Sequence, residues 1–191
     1  MNLPNNDLKN SQKALFLDRD GVINVDYGYV YQIQNFTFVD GIFDLCKIAQ
    51  ELNYKIFIIT NQSGIGRNYY TEEEFNNLTS WLVQKFNDNN IKIEKVYYCP
   101  HHVDAVLNKY KIKCDCRKPE PGMIIEACKE FDIDPTKSIF IGDKETDIEA
   151  ATKANVGTKI LFTNDDILAI QSKADFVSNN FDRIQKIISK L

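Results

Sequence analysis

The chain alternates short apolar runs with amphipathic stretches over most of its length. The amphipathic stretches have helical periodicity, and the runs between them are typical of buried strands. The predicted strands are Ala14–Leu17, Lys55–Ile59, Lys95–Tyr98, Ser138–Ile141 and Thr158–Phe162, and the predicted helices are Gly41–Leu52, Thr71–Asn87, Pro121–Phe131 and Lys144–Lys153. The sequence also predicts an edge strand at Phe176–Val177 and a closing helix at Phe181–Leu191. This alternation predicts the α/β class, with a parallel sheet covered by helices on both faces.

Size and charge narrow the possible functions. A chain of 191 residues fits one domain, residues 1–191, with a hydrophobic core of its own. The net charge is −4 and the cations are scattered, so the basic footprint of a nucleic-acid binder is missing. No apolar run reaches the length of a membrane span, and Met1–Lys13 lacks a signal-peptide core. We therefore expect a cytoplasmic protein without nucleic-acid or membrane partners.

Polar residues stand where three of the predicted strands end. Asp18 and Asp20 follow the first strand, Thr60 follows the second, and Asp143 follows the strand Ser138–Ile141. In a parallel sheet these side chains meet at one edge, which is where such folds bind ligands. Carboxylates that meet there repel one another, and a bound cation relieves the repulsion. Ligands that are all oxygen suit Mg²⁺.

These residue types suit phosphoryl transfer. Asp18 can attack phosphorus and form an acyl phosphate, and Asp20 can protonate the leaving alcohol and later activate water. Thr60 and Lys118 can stabilise the transferred group. Each residue taken alone equally fits a helix cap, a turn or a loop. The phosphoryl-transfer interpretation depends on all of them occurring in order at strand ends.

These segments resemble the motifs of the haloacid dehalogenase superfamily of phosphohydrolases, over about Lys13 to Phe162. The resemblance implies a Rossmann-like fold with Asp18 as nucleophile and Asp20 as general acid and base. It also implies that Thr60 and Lys118 contact the phosphoryl group. Asp143 would hold Mg²⁺ together with Asp18 and the backbone carbonyl of Asp20. Asp147 either orients this metal site or is a helix-start carboxylate without a metal role.

A narrower resemblance is to the heptose bisphosphate phosphatases of that superfamily. It is carried by Asp18–Val30, Thr60–Arg67, Tyr97–His102 and Cys114–Pro119, with Val22 standing where many relatives have Thr. It implies hydrolysis of the 7-phosphate of D-glycero-D-manno-heptose 1,7-bisphosphate, a small-molecule substrate of nucleotide-activated heptose synthesis. The residues implied to line the substrate site are Asp26, Tyr27, Gly28, Tyr29, Asn61, Gln62, Ser63, Arg117 and Lys144. The planar guanidinium of Arg117 suits a second phosphate.

A cysteine-rich loop predicts a second metal centre. Cys99 and His101, then twelve residues, then Cys114 and Cys116 supply three thiolates and one imidazole. This set matches a closed tetrahedral Zn²⁺ site, which is structural rather than catalytic. His102 is the alternative ligand, and the resemblance favours His101. We call residues 99–116 the zinc loop.

Chain length and competing functions complete the prediction. Asp20 and Thr60 are 40 positions apart, which leaves no room for a separate cap domain. The nearest alternative function is a histidinol-phosphate phosphatase, and Asp26–Tyr29 with Gly142–Lys144 favours the heptose substrate. A zinc-stabilised binding module without catalysis is an alternative of another class. We expect a monomer.

Overall fold

The computed structural model describes residues 11–191 and confirms the predicted α/β class. The six strands of this part of the chain are β1 (Lys13–Leu17), β2 (Tyr54–Asn61), β3 (Ile93–Cys99), β4 (Ile139–Gly142), β5 (Thr158–Phe162) and β6 (Phe176–Ser178). The helices are α1 (Ile42–Glu51), α2 (Ser63–Gly66), α3 (Glu72–Asp88), α4 (Gly122–Phe131), α5 (Glu145–Lys153), α6 (Asp166–Gln171) and α7 (Phe181–Ile188). Short 3₁₀ turns lie at Ile33–Asn35, Asn108–Tyr110 and Pro135–Lys137.

The strands form one parallel sheet in the order β3-β2-β1-β4-β5-β6. Phe16 of β1 stands opposite Phe57 of β2 and Phe140 of β4, so β1 occupies the centre. The chain builds outwards from β1 to β3 on one side and from β4 to β6 on the other. The order therefore reverses between β1 and β4, and the carboxyl ends of these two strands form the crevice in which open α/β sheets bind ligands.

Apolar residues alternate between the two faces of the sheet. Leu15 and Leu17 face a cluster that includes buried side chains from α1, α3 and α7. Ala14 and Phe16 face the opposite cluster, which includes buried side chains from α4 and α5. Helices thus cover both faces, and the two-residue period of each strand assigns its side chains to one core or the other.

Local sequence sets where the helices begin. At α3 the backbone N–H of Glu74 donates to Oγ1 of Thr71 at 3.1 Å, and the N–H of Thr71 donates to the Glu74 carboxylate at 2.8 Å. This is a reciprocal capping box. The helices α2 and α6 were not predicted, because four and six residues are too few to show a helical period. The predicted last helix was too long, since α7 ends at Ile188.

The fold leaves the crevice without a separate cap. Between Asp20 and β2, the structure contains a short loop, a 3₁₀ turn and α1, which agrees with the spacing argument. Cys46 is fully buried and Cys128 packs against the core, and both lie outside the zinc loop. None of the helices in residues 11–191 has the length and apolar character needed to cross a membrane.

Candidate active site and metal centres

A cavity of about 450 Å³ opens at the carboxyl ends of β1, β2 and β4. Its lining contains the predicted catalytic residues and most of the predicted substrate residues. The lining residues are Asp18, Asp20, Asp26, Gly28, Tyr29, Thr60, Asn61, Gln62, Ser63, Tyr70, Arg117, Lys118, Lys144, Thr146 and Asp147. The sheet therefore gathers segments that lie far apart in sequence into one crevice.

Lys118 is buried between two carboxylates. Its Nζ lies 2.8 Å from Oδ1 of Asp18 and 2.7 Å from Oδ1 of Asp147, and it donates to the carbonyl of Ile59 at 2.9 Å. Burial alone would lower the pKa of Lys118, but Asp147 and Asp18 outweigh it and raise this pKa overall. The ammonium therefore stays charged beside the predicted nucleophile, and all three of its donors have partners.

The carboxylates of Asp18, Asp143 and Asp147 form a compact oxygen cluster, with one ligand atom of each lying within 4.8 Å of the others. Burial, followed by the charges of Asp18 and Asp147, raises the pKa of Asp143 from 3.8 to about 8. Burial likewise raises the pKa of Asp18 to about 6, although Lys118 opposes the shift. Oδ1 of Asp143 is buried and accepts no hydrogen bond from the described residues. Crowded carboxylates with an unused oxygen fit a hard divalent cation such as Mg²⁺.

Two glycines allow this crowding. A Cβ on Gly21 would collide with the Asp143 carboxyl group, and one on Gly142 would collide with Asp147. Gly21 also has a φ of +89°, which favours glycine. The backbone at Gly21, in the turn after β1, therefore lies so close to Asp143 that no side chain fits between them.

Asp147 caps a helix and also lies beside the other carboxylates of the cluster. Its Oδ2 accepts the backbone N–H groups of Asp143 and Lys144 at 3.1 Å each, which caps the start of α5. Its Oδ1 meets Lys118. The residue is thus a helix-start carboxylate that also belongs to the oxygen cluster.

The Asp20 carboxylate accepts hydrogen bonds from three neighbouring side chains. Arg19 donates through its Nε and through a terminal nitrogen at 3.1 and 2.8 Å, Nδ2 of Asn24 donates at 3.0 Å, and Nε2 of Gln62 donates at 3.1 Å. Arg19 is itself buried and also donates to the carbonyl of Val30 at 2.7 Å. The Asp20 carboxyl group is therefore fixed in direction while 18% of the side chain stays exposed.

The segment at the end of β2, predicted to line the substrate site, also holds neighbouring site residues in place. The side-chain amide of Asn61 exchanges two 3.1 Å hydrogen bonds with the backbone of Lys118. Gln62 is buried, and its Nε2 donates to Oγ1 of Thr60 at 2.8 Å as well as to Asp20. Both amides line the cavity, and their hydrogen bonds position neighbouring site residues. Ser63 begins α2 at the same edge.

The loop after β1 brings most of its predicted residues to the cavity. Asp26 accepts the N–H of Gly28 at 2.9 Å and pairs with Lys144 at 3.2 Å. The chain turns at Gly28 and Tyr29, whose φ values of 78° and 54° are both positive. Tyr29 lines the cavity, whereas Tyr27 is 64% exposed and lies outside the cavity lining. The contact of Tyr27 with a substrate therefore stays a prediction.

The zinc loop brings its four predicted ligands together. The Sγ of Cys116 lies 3.0 Å from that of Cys99, 3.2 Å from that of Cys114 and 3.2 Å from Nδ1 of His101. The hydrogen bond with Cys99 is the largest cause that lowers the pKa of Cys116 to about 5. The sulfur atoms are too far apart for disulfides, and an S₃N set with an accessible thiolate fits a tetrahedral Zn²⁺ site.

The alternative ligand, His102, lies elsewhere. A terminal nitrogen of Arg67 lies 3.3 Å from Nε2 of its ring, and Nδ1 accepts the N–H of Asp104 at 3.0 Å. Burial, then the charges of Arg117 and Arg67, lower the pKa of His102. Arg117 lines the cavity and donates to the carbonyl of His101 at 3.3 Å. A predicted zinc ligand thus touches a cavity cation.

Sequence reasoning missed several residues of the site. Arg19 and Asn24 hold Asp20, while Tyr70 and Thr146 line the cavity. Arg19 could have been noticed as the cation between the two motif aspartates. Tyr70 follows another tyrosine in a loop, and no pattern distinguishes it.

The chain is similar to known hydrolases along nearly its whole length. Residues 4–155 match the haloacid dehalogenase-like hydrolase family. The D-glycero-beta-D-manno-heptose-1,7-bisphosphate 7-phosphatase of Yersinia pestis is 42% identical over 180 residues, which cover 93% of this chain and 96% of that protein. The enzyme of the same name from Escherichia coli K12 is 41% identical over 182 residues, covering 94% and 95%.

A solved structure shows the same fold. It is the D,D-heptose 1,7-bisphosphate phosphatase of B. bronchiseptica, described in complex with magnesium and phosphate. Its TM-score with this chain is 0.81 at 23% identity, covering 94% of this chain and 99% of that one. At this identity the likeness concerns the fold alone.

Proposed function

Since the chain belongs to the haloacid dehalogenase-like hydrolase family, we propose that it hydrolyses the 7-phosphate of D-glycero-D-manno-heptose 1,7-bisphosphate through an aspartyl-phosphate on Asp18. The observation that carries this proposal is the buried contact between Asp18 and Lys118 in the crevice where the strand order reverses, between β1 and β4. The names of the two bacterial relatives supply the substrate and its β-anomer. The reaction would serve nucleotide-activated heptose synthesis.

In the proposed reaction, Asp18 attacks the phosphorus of the 7-phosphate, and the phosphorus–oxygen bond to the sugar breaks. Lys118 stabilises the charge that spreads over the phosphoryl oxygens, and Thr60 donates a hydrogen bond to them. Lys118 would exchange one of its present partners for a phosphoryl oxygen, because its three donors are already used. Asp20 protonates the departing sugar oxygen and then takes a proton from the water that hydrolyses the acyl phosphate.

Two metals fit the described residues. Asp18, Asp143 and the backbone carbonyl of Asp20 would hold Mg²⁺, with Asp147 beside them. When bound there, Mg²⁺ screens the charge of the phosphate from the attacking carboxylate. The set Cys99, His101, Cys114 and Cys116 would hold structural Zn²⁺.

We assign the second phosphate of the substrate to Arg117. Its guanidinium lines the cavity, and no carboxylate of residues 11–191 lies within ion-pairing distance of it. A planar fork without a carboxylate partner is suited to bind two phosphate oxygens. Asp26, Tyr29 and Lys144 would contact the sugar at the same opening.

The setting of the reaction is also part of the proposal. A monomer is the expected working unit. The five cysteines are free, which suits the reducing cytoplasm.

The test is phosphate release with Mg²⁺ from both anomers of the heptose bisphosphate, compared with histidinol phosphate at equal concentration. We expect strong preference for a heptose bisphosphate, with the β-anomer favoured. Asp18→Asn should abolish turnover, because the amide cannot attack phosphorus. Preference for histidinol phosphate would refute the substrate. Phosphate release no higher than background by both wild type and Asp18→Asn would support a binding module without catalysis.

A further inference from the structure

Tyr70 is a buried cavity residue with one strong polar contact. Its side chain is 5% exposed, and its hydroxyl donates to Oε1 of Gln62 at 2.5 Å. Burial is the main cause that raises the pKa of Tyr70 above its usual value, so the phenol stays protonated and able to donate. The mechanism above assigns no role to this hydroxyl.

The Tyr70 hydroxyl determines which way the Gln62 amide points. With Oε1 turned to Tyr70, Nε2 has one N–H for Oδ2 of Asp20 at 3.1 Å and one for Oγ1 of Thr60 at 2.8 Å. A reversed amide would set its carbonyl oxygen against the Asp20 carboxylate, where two acceptors repel each other. Only this orientation of the Gln62 amide therefore gives hydrogen bonds to the Tyr70 hydroxyl, the Asp20 carboxylate and the Thr60 hydroxyl at once.

The ring of Tyr70 is itself held in place. A Cβ on Gly64 would collide with the ring and hydroxyl of Tyr70, so glycine at this position makes room for it. On the other side the ring stacks on Tyr31, with centroids 5.0 Å apart and planes inclined by 11°. Tyr70 also belongs to a small apolar cluster with Ala105 and Tyr110 of the zinc loop. The hydroxyl is thus delivered to Gln62 by a rigid support.

We propose that Tyr70 is a positioning residue for the general acid: acting through Gln62, it holds the Asp20 carboxyl group in the direction needed to protonate the leaving oxygen. This inference rests on the proposed phosphatase function and deepens it. Tyr70 transfers no proton itself. Its effect reaches the reaction only through the hydrogen bonds of the Gln62 amide.

The dependence on leaving group tests this role. A sugar alkoxide leaves only when it is protonated, whereas p-nitrophenolate leaves as a stable anion. In Tyr70→Phe we expect kcat/KM for the sugar phosphate to fall about 10-fold, a fraction of what a whole general acid contributes. The kcat/KM for p-nitrophenyl phosphate should change by less than about 2-fold, because that step needs little acid assistance. The matched control is Tyr31→Phe, which changes a stacked tyrosine outside the cavity lining and should leave both values near wild type.

A double-mutant cycle with Gln62→Met tests the route. If Tyr70 acts through Gln62, adding Tyr70→Phe to Gln62→Met should cause no further loss of kcat/KM for the sugar phosphate. Thermal unfolding of each variant shows whether that variant is folded at the assay temperature. Equal losses for the two leaving groups, no loss for either, or additive losses in the double variant would each overturn the inference. The proposed function is tested separately: it is upheld if wild type turns over the sugar phosphate and Asp18→Asn does not. Failure of the Tyr70 inference can therefore be distinguished from failure of the proposed function.

Discussion

The Nζ of Lys118 lies 2.8 Å from Oδ1 of Asp18, and both side chains are more than nine-tenths buried. The proposed nucleophile therefore has a cation beside it before any substrate binds. Asp147 holds the same ammonium from the other side at 2.7 Å. Because two carboxylates share one cation away from water, the three groups depend on one another for stability as well as for chemistry.

Replacing Lys118 with Met should lower both stability and turnover. The substitution leaves two buried carboxylates without their cation, which costs about 3–5 kcal/mol of unfolding free energy. Urea unfolding at neutral pH measures this loss. Lys144→Met is the control, since its side chain is 56% exposed and removal of a surface pair costs under about 1 kcal/mol. Equal destabilisation by the two variants would contradict the prediction.

The residues at the strand ends were predictable because two simple regularities coincide there. Apolar runs of strand length ended in Asp18, Thr60 and Asp143, and parallel strands bring such ends to one edge. The zinc loop was predictable because its ligand spacing is itself the signal, and the structure brings those ligands into contact. Both predictions needed only local sequence and the class of fold.

Contacts that depend on the detailed path of a loop were not predictable. Tyr27 was predicted to line the substrate site with its neighbours, but it is 64% exposed and lies outside the cavity lining, so its contact with a substrate stays a prediction. Tyr70 was missed because its role requires an absent Cβ at Gly64. Neither feature has a periodic pattern, since each depends on how separate segments pack.

Mg²⁺ should stabilise the protein more at pH 8.5 than at pH 6. The folded-state pKa of Asp143 is raised from 3.8 to about 8, so its folding contribution is fully present below pH 3.8 and is lost as pH rises through 8. The pKa of Asp18 is raised to about 6, so its contribution to stability is likewise lost as the pH rises through 6. Without a divalent ion, stability should therefore fall across this range, while Mg²⁺ binds the ionised carboxylates and displaces their protons.

Thermal unfolding with and without saturating Mg²⁺ at several pH values checks this dependence. We expect the Mg²⁺-induced rise in Tm to grow steadily with pH. In Asp143→Asn the growth attributable to this carboxyl group should disappear, because the amide does not titrate in this range. A rise in Tm that is the same at pH 6 and pH 8.5 in the wild type would contradict the assignment of these carboxylates to the metal.

Gly21→Ala should weaken Mg²⁺ binding. The added methyl group would collide with the Asp143 carboxyl group, so either the turn or the carboxylate must shift. The matched control is Gly41→Ala, which has a similar φ of +85° but meets only Phe181, at 3.4 Å. Both variants lose about 1 kcal/mol of stability to backbone strain. Titration of activity with Mg²⁺ should show a raised half-saturating concentration for Gly21→Ala alone, and equal values for both variants would count against the clash.

Loss of metal from the zinc loop should impair substrate handling before the sheet unfolds. Arg117 donates to the carbonyl of the proposed ligand His101, and Ala105 and Tyr110 of the loop pack beside α2. Cys99, Cys114 and Cys116 contact one core of the sheet, whereas the opposite core, which contains β1, α1 and α7 side chains, includes no residue of this loop. A zinc-selective chelator in excess Mg²⁺ should therefore lower kcat/KM for the bisphosphate by about 10-fold or more, as expected when metal support for a site residue is lost.

Two further measurements locate the effect. Limited proteolysis should cut within residues 99–116 after chelation, while far-UV circular dichroism keeps the signal of the sheet and helices. Cys116→Ser should reproduce the chelated behaviour, and Cys128→Ser, which alters a cysteine outside the ligand cluster, should resemble the untreated protein. Since Arg117 is assigned to the second phosphate, the loss should be larger for the bisphosphate than for a sugar monophosphate. Unchanged kinetics after complete metal removal would show that the loop and the active site are independent.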